Sequence, residues 1–433
     1  MNPLYRNDKR GEHAPSWYAA SLPPEVARPA LRGGVHADVV ILGAGYTGLW
    51  AALTLARAGR RVVVLEAHRV GFGASGRNGG QVQSGFNKPQ SWLEDRLGNT
   101  RARALWDMAQ TAKDQLRDFC DTHATEAGFC AGLAHGEYSL ADLDHASAEA
   151  DHMARHYGQE IAIMDRAEFG ALVKSPLYVG GSFDPTGGHL HPLAYARALA
   201  RAAEAAGAVI HETTEVLSVT PGPKIILTTP KGQVTATHAI IAGNGYLPNI
   251  LPAVNARVMP INSFIAATDP LPDRWQEVLA RDIAVSDSKF VVNYYRFSDD
   301  RRFLFGGRES YSIAYPRDIA TALIARMTRL FPQLSDVGIT HVWGGALGIT
   351  MSRLPHVAQV APNILSGAGF SGHGVALSGM AGRVMAEAVM GQEDGLTTLA
   401  ALPVGRFPGG AGLRAPILTL AMTWFALRDR LGI

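Results

Sequence analysis

The run Val39-Val40-Ile41-Leu42-Gly43-Ala44-Gly45-Tyr46-Thr47-Gly48 feeds an apolar segment into a G-x-G-x-x-G turn. Each glycine has a distinct use. Gly43 permits a tight turn, Gly45 lets the backbone approach a pyrophosphate, and Gly48 lets the next helix lie close on its strand. The helix start presents unpaired N–H groups and a positive dipole end to the phosphates. Glu66 closes a second apolar run, Val62-Val63-Val64-Leu65, 18 residues beyond Gly48. An acid at that point accepts hydrogen bonds from an adenosine ribose. A glycine triplet alone is weak evidence, but strand, turn, helix, strand and acid in this order predict a dinucleotide site.

The next segment narrows the choice of dinucleotide. Val70-Gly71-Phe72-Gly73-Ala74-Ser75-Gly76-Arg77-Asn78-Gly79-Gly80-Gln81 holds five glycines in twelve positions, with one cation and two amides. It has little apolar content to bury, yet its backbone can lie flat against a planar ligand and aim N–H groups at it. A nicotinamide enzyme has no evident use for such a loop behind the ribose acid, so the expected cofactor is FAD. Downstream, Ile364-Leu365-Ser366-Gly367-Ala368-Gly369-Phe370-Ser371-Gly372-His373-Gly374-Val375 repeats the pattern of strand, glycine loop and helix. Gly374, Ser378 and Gly382 are four apart, which leaves one helix face nearly bare. The positive end of that helix favours the negative charge of a reduced flavin. His373 is a candidate to hydrogen-bond flavin or substrate, the alternative being a histidine that satisfies turn backbone.

These loops need elements to position them. Residues 37–100 hold the first dinucleotide half. Residues 101–185 read as polar-faced helices, with Ala104, Leu105, Met108, Ala112, Leu116 and Phe119 at helical spacing. Pro192 stands where a helix begins, and its apolar face stops at Gly207. Short strands are predicted at Val209-Ile210, Glu215 to Val219, Ile225 to Thr229 and Ala239 to Ala242, the last entering a second glycine turn, Gly243-Asn244-Gly245. Segments 263–268, 290–296 and 302–307 alternate as strands of one antiparallel sheet that floors a substrate pocket. Tyr294 and Arg296 share one strand face and Tyr295 takes the other.

The Gly43 turn, Glu66, the run at 71–81 and Gly369-Phe370-Ser371-Gly372-His373-Gly374 resemble the FAD-dependent D-amino-acid oxidase superfamily, and within it the gamma-glutamylputrescine oxidase branch. The likeness extends over nearly the whole chain, including Ser16-Trp17-Tyr18-Ala19-Ala20 and the basic apolar tail. It implies an α/β (α+β) fold in which a Rossmann-like FAD-binding domain (35–100, 186–252 and 340–400) interleaves with an antiparallel-sheet substrate domain (101–185 and 253–339). A C-terminal helix within 401–433 is expected to pack on the body. The expected cofactor contacts are Gly43, Gly45, Thr47, Gly48, Glu66, Ala67, Ala74, Ser75, Arg77, Asn78, Gly79, Gly80, Gln81, Val216, Gly243, Gly372, His373, Gly374 and Val375. Arg77, Tyr294, Arg296 and His373 are the expected polar lining of the substrate pocket, with Arg77 reaching flavin N5 or the substrate. The region around Gly345 has no cysteine, where sarcosine-oxidising relatives carry their covalent flavin linkage, so the FAD is expected to be non-covalent.

The reaction implied is hydride transfer from a carbon bearing an amine to flavin N5, with the imine then hydrolysed. No side-chain base is strictly required, and no Ser/His/Asp set or paired-carboxylate motif emerges. Amino-acid-oxidising relatives hold the substrate carboxylate with a cation. Where the glycine- and D-amino-acid-oxidising branches place an arginine, Trp343-Gly344-Gly345-Ala346 is followed by Leu347. Where the sarcosine-oxidising branch places a lysine, Gly372-His373-Gly374-Val375 is followed by Ala376. A buried carboxylate left unpaired is costly, so an α-amino acid needs another cation, for which Arg77, Arg296 and Arg308 are candidates. An amine remote from any acid group fits better. Three readings follow: an amine oxidase of the gamma-glutamylputrescine type, an amino-acid oxidase or dehydrogenase with a relocated anchor, and a non-catalytic flavoprotein subunit. Oxygen or another electron acceptor would reoxidise the flavin.

Composition sets the outer bounds. The 433 residues exceed one ordinary domain. Forty basic against 38 acidic residues give no charge excess to suggest nucleic acid. Two cysteines, Cys120 and Cys130, make neither a disulfide framework nor a metal site unaided, so a reducing cytoplasm and no metal are expected. The apolar stretch Ala415 to Leu427 is shorter than the roughly 20 residues a bilayer requires.

Overall fold

The structure is a computed structural model that describes residues 3–310, 312 and 314–409. Two sheets organise it. The first runs, in spatial order, His356–Ala361, Ile364–Ala368, Gly232–Ile241, Gly33–Leu42, Val62–Leu65 and Val209–His211. Ile225–Thr229 pairs with Gly232–Ile241, and Ser218–Thr220 lies beyond it. Its centre is parallel: Gly33–Leu42 pairs in parallel with both Val62–Leu65 and Gly232–Ile241. Val39–Leu42 and Val62–Leu65 are buried throughout, which is why their sequence reads as continuous apolar runs rather than alternation.

Helices cover one face of this sheet. Tyr46–Arg57, Asn99–His123, Pro192–Ala205 and Leu377–Val389 share one apolar cluster with it. The opposite face carries a smaller cluster around Val40, Ile225, Leu227 and Val234. Local signals set the helix ends as the sequence suggests. Pro192 occupies the first turn of its helix while the His191 side chain accepts from Ala194 N–H at 3.2 Å. Ser139 caps Leu140–Tyr157 at its start, and Gly158 leaves it in a left-handed conformation.

The second sheet runs Ile339–Ile349, Met259–Pro270, Arg302–Ser310, Tyr294–Phe297, Ala284–Asp287, Cys130–Glu137, Gly180–His189 and Gln81–Val82, with Ala162–Met164 paired to Gly180–His189. It is antiparallel except where Ala284–Asp287 meets Cys130–Glu137. Phe264, Tyr295, Phe297, Phe303 and Phe305 pack one side into an aromatic core.

Several expectations are corrected here. The stretch 101–185 is not wholly helical, since Cys130–Glu137 and Gly180–His189 enter the second sheet. Their glycines and alanines hide the strands, because β-propensity reports mostly branched and aromatic side chains. Helix Asn99–His123, within the same stretch, packs on the first sheet's cluster. Ile339–Ile349 and residues 186–189 pair in the second sheet. The strand expected from Glu215 is Ser218–Thr220, and the one expected over 290–296 is Tyr294–Phe297. The helix expected within 401–433 lies almost entirely outside the described residues; of 401–409, Leu402 and Phe407 are buried.

Backbone contact locks the first turn in place. A Cβ on Gly48 would lie 1.9 Å from the Gly43 carbonyl oxygen, and one on Gly382 would lie 2.1 Å from that of Thr47. Gly48→Ala is therefore expected to destabilise the fold by at least about 1–3 kcal/mol, the usual range for overpacking. Gly34→Ala, with nothing within 4 Å of its added carbon, should show no loss. Thermal unfolding of the two variants checks this, and equal midpoints would contradict the packing argument.

Candidate active site

A cavity of about 510 Å³ runs between the two sheets, within the size range of cofactor and ligand pockets. One end is built by the first turn and Glu66. Gly43 holds φ at +100°, and a Cβ added there would lie 2.8 Å from the Ala242 carbonyl oxygen. No residue other than glycine suits both constraints. The Glu66 carboxylate accepts from Ala44 N–H at 2.8 Å and from His68 N–H at 2.9 Å. It thereby braces the turn while forming part of the cavity wall. Burial pushes its pKa up to about 7, against the pull of those two N–H groups.

The 70–81 loop makes the next part of the wall. Ser75 Oγ accepts from Tyr46 N–H at 3.0 Å, tying the loop to the helix start. Asn78 staples the loop internally: its amide donates to the Ala74 and Ser75 carbonyls at 2.9 and 3.0 Å, and its Oδ1 accepts from Gly80 N–H at 2.7 Å. Gln81 donates to the Val285 carbonyl at 2.8 Å, which joins the loop to the second sheet. From the far side, Asn244 Oδ1 accepts from Gly369 N–H at 2.9 Å, so the second and third glycine turns are fastened together. Tyr246 Oη accepts from Ala346 N–H at 2.9 Å and so fixes the strand that faces the loop.

The cavity gathers nearly all of the expected cofactor residues. Gly43, Gly45, Thr47, Glu66, Ala67, Ala74, Ser75, Arg77, Asn78, Gly79, Gln81, Val216, Gly243, Gly372, His373, Gly374 and Val375 all line it. Gly48 and Gly80 do not. Gly48 serves helix packing, and a Cβ on Gly80 would lie 2.1 Å from the Leu190 carbonyl oxygen. The residues suit FAD on structural grounds. An acid closes one end, three glycine turns converge, and a Cβ added to Gly372 would meet nothing within 4 Å, leaving the turn beside His373 bare.

Of the expected substrate contacts, Arg77 has a second task and Arg296 is reassigned. Arg77 lines the cavity, and two of its three guanidinium nitrogens are engaged by the protein. Nε donates to the Phe72 carbonyl at 2.6 Å, and Nη1 donates to Asp8 at 2.8 Å and to the Gly344 carbonyl at 3.0 Å. The Arg77–Asp8 pair is almost wholly buried, so Arg77 pins the N-terminal segment, and its Nη2 is buried without a hydrogen bond among the described residues. Leu4 of that segment also lines the cavity, a contribution with no motif to announce it. Arg296 lies outside the cavity. It donates to the carbonyls of Gly79, Leu190 and Phe297 at 2.8, 2.9 and 3.0 Å and so holds the glycine loop on the sheet.

Tyr294 and His373 do line the cavity. Tyr294 Oη is 3.1 Å from Ser263 Oγ, and burial holds its phenol protonated well above the usual range. Tyr295, on the other strand face, belongs to the aromatic core. Burial pushes His373 down to about 4, so it is neutral at physiological pH, and its Nε2 is shut from solvent without a partner. Sequence reasoning set the segments of Ser263 and Phe290 in the pocket floor without singling them out, and missed Glu309 and Arg353 in the wall. Away from the cavity, Cys130, His189 and Asp282 bring potential ligand atoms within 4.8 Å of one another. Asp282 is already bound to Arg301 at 2.6 Å and to His189 at 3.0 Å, so the cluster reads as an ion-pair network.

The family described as FAD dependent oxidoreductase, DAO, matches residues 38–388. The chain belongs to this family. It is an FAD-dependent oxidoreductase, and FAD is its cofactor. The chain is 41% identical to the probable oxidoreductase OrdL of Rhizobium meliloti (strain 1021), over 96% of this chain and 97% of that protein. It is 34% identical to the gamma-glutamylputrescine oxidoreductase of Escherichia coli (strain K12), over 98% of this chain and all of that protein. Among solved structures, glycine oxidase from Geobacillus kaustophilus shares the fold at a TM-score of 0.70, with 21% identity over 83% of this chain and 96% of that one.

Glu66 generates the first test of this oxidoreductase's cofactor site. Glu66→Ala removes the carboxylate from the cavity wall and strands the N–H groups of Ala44 in the turn and of His68. A charge-assisted hydrogen bond contributes about 1.5–3 kcal/mol, so FAD retention should weaken by roughly ten- to a hundredfold. Flavin absorbance after dilution and gel filtration reads the effect. Full retention of colour would contradict the assignment.

Proposed function

We propose that the protein oxidises a C–N bond of an amine whose reacting carbon lies remote from any carboxylate, with the gamma-glutamylputrescine class as substrate. The observation that carries this reading is the apolar replacement of both carboxylate anchors. Leu347 lines the cavity and Ala376 is buried at the start of helix Leu377–Val389, where the family resemblance expects cations. Two of the substitute cations are occupied elsewhere, Arg77 by Asp8 and Arg296 by the loop carbonyls. The third, Arg308, contributes to the wall but donates Nη1 to the Asp318 carbonyl at 2.6 Å. The near full-length likeness to a gamma-glutamylputrescine oxidoreductase supports the same substrate class.

Bound FAD supplies the acceptor for the hydride leaving the carbon beside the nitrogen. The chain's own residues exclude water, orient the amine and keep its surroundings neutral. Tyr294 and Ser263 offer hydroxyls on the sheet face, and His373 offers an uncharged imidazole. We propose that the FAD is held without a covalent bond. Neither cysteine lines the cavity: Cys120 is buried in helix Asn99–His123, and Cys130 Sγ donates to the Asp282 carbonyl at 3.2 Å. Oxygen or another acceptor completes the cycle. Among the described residues no helix is long and apolar enough to cross a membrane, and the two free cysteines favour the reducing cytoplasm.

An amino-acid substrate is the second reading. It rests on Arg353, whose guanidinium lines the cavity 5.7 Å from the centre of the Phe290 ring.

The pH profile distinguishes substrate from enzyme titration. His373 stays neutral above about pH 4, and Tyr294 stays protonated beyond the usual tyrosine range. Neither produces a rise between neutral and alkaline pH, and the Glu66 step, at about 7, lies below the range in which an alkylamine deprotonates. A free alkylamine, with a pKa of about 10.4 as in lysine, does produce such a rise. Turnover at fixed low substrate should therefore climb with pH above neutrality. A flat profile, with hydride transfer shown to limit the rate, would overturn the amine reading.

A further inference from the structure

A one-residue irregularity in the second sheet decides which side chains of Arg302–Ser310 share the strand face of Tyr294. Strand Arg302–Ser310 pairs with Met259–Pro270 through Ala266 opposite Phe305 and Ile265 opposite Gly306. The register then shifts, so that Phe264 faces Arg308 and Ser263 faces Glu309, and Gly307 is passed over. Side chains alternate between faces along a strand, and one extra residue reverses the face of everything after it.

The two faces have different chemistry. Leu304 lies on the face that carries Ile265, Trp343 and Tyr294, whereas Phe305 lies in the aromatic core. Unbroken alternation from Leu304 would bring Arg308 to the side of Tyr294 and send Glu309 to the aromatic core. The shift does the opposite. Arg308 now pairs with Phe264, itself an aromatic-core residue, and although it borders the cavity its Nη1 is already held by the Asp318 and Ile319 carbonyls. Glu309 pairs with Ser263, whose hydroxyl meets Tyr294, and all three line the cavity. Gly306 makes room for this arrangement: a Cβ there would lie 2.1 Å from the Tyr294 ring.

We propose that Glu309 is the specificity-determining residue of the site and pairs with the substrate ammonium that is not oxidised. The inference rests on the amine reading and names its substrate class more closely: amines carrying a second cationic nitrogen. The carboxylate does not suit the reacting nitrogen. An anion beside that nitrogen would keep it protonated, and a protonated nitrogen has no lone pair to assist hydride loss. Set against a distal ammonium, the same charge lowers KM and discriminates against amines that lack one.

The test uses the purified FAD-loaded enzyme with 1,4-diaminobutane and butylamine, which match in chain length and differ by one ammonium. Wild type should show the lower KM for the diamine. In Glu309→Gln the ratio of the two KM values should collapse by about tenfold, the scale of one partly desolvated charge pair. Glu309→Asp, which keeps the charge, should retain most of the preference. Raised ionic strength should narrow the wild-type ratio and leave that of Glu309→Gln little changed. Equal loss with both amines in Glu309→Gln, or an unaltered ratio, would overturn the role of Glu309 while leaving the amine reading intact. A wild-type enzyme that oxidises neither amine nor any gamma-glutamyl diamine would overturn both.

Discussion

Helices Tyr46–Arg57 and Leu377–Val389 meet backbone to backbone, and the rest of the site depends on that approach. Gly382 stands where any side chain would strike the Thr47 carbonyl, and a Cβ on Gly379 would lie 2.6 Å from the Trp50 ring. Gly48 brings the same helix down on Gly43. The first helix carries the dinucleotide turn at its start, and the second follows the His373 loop. Their contact therefore brings two loops, separated by more than three hundred residues of chain, to one crevice. The bare surfaces cost burial that larger side chains would supply, and the compensation is a cofactor site with two helix starts facing it.

The second sheet supplies the opposite wall, and arginines do the joining. Arg296 gathers the carbonyls of Gly79 and Leu190, and Arg77 gathers Asp8, Phe72 and Gly344. Arginine suits this task because its planar fork can satisfy several fixed acceptors at once. Both guanidiniums hold glycine-rich backbone in place, and that of Arg77 also pairs with Asp8. The result is a wall with hydroxyls from Ser263 and Tyr294, a neutral His373 and, among the described residues, few cations to meet a carboxylate.

Local sequence made much of the cofactor half legible, because its chemistry depends on short-range spacing. Gly43, Gly45 and Glu66 each carry a backbone or hydrogen-bonding requirement that few other residues meet. The central strands and the helix at Pro192 announce themselves through apolar runs and end signals. The substrate half was less legible. Arg77 and Arg296 have suitable charge, but where a guanidinium points depends on carbonyls distant in sequence. Glu309 was hidden for a sharper reason: simple alternation along its strand assigns it to the wrong face, and the shift at Gly307 emerges only from pairing with Met259–Pro270. The strand Cys130–Glu137 was concealed by its own composition, since glycine and alanine carry little β signal.

The central claim, that this FAD-dependent oxidoreductase takes amines remote from carboxylates, is tested most directly by anaerobic flavin bleaching. The purified yellow protein would be mixed without oxygen with gamma-glutamylputrescine, D-alanine, glycine and sarcosine, and flavin absorbance followed. The account predicts rapid bleaching by gamma-glutamylputrescine and none of comparable rate by the three amino acids. Bleaching by D-alanine, glycine or sarcosine with none by gamma-glutamylputrescine would contradict it.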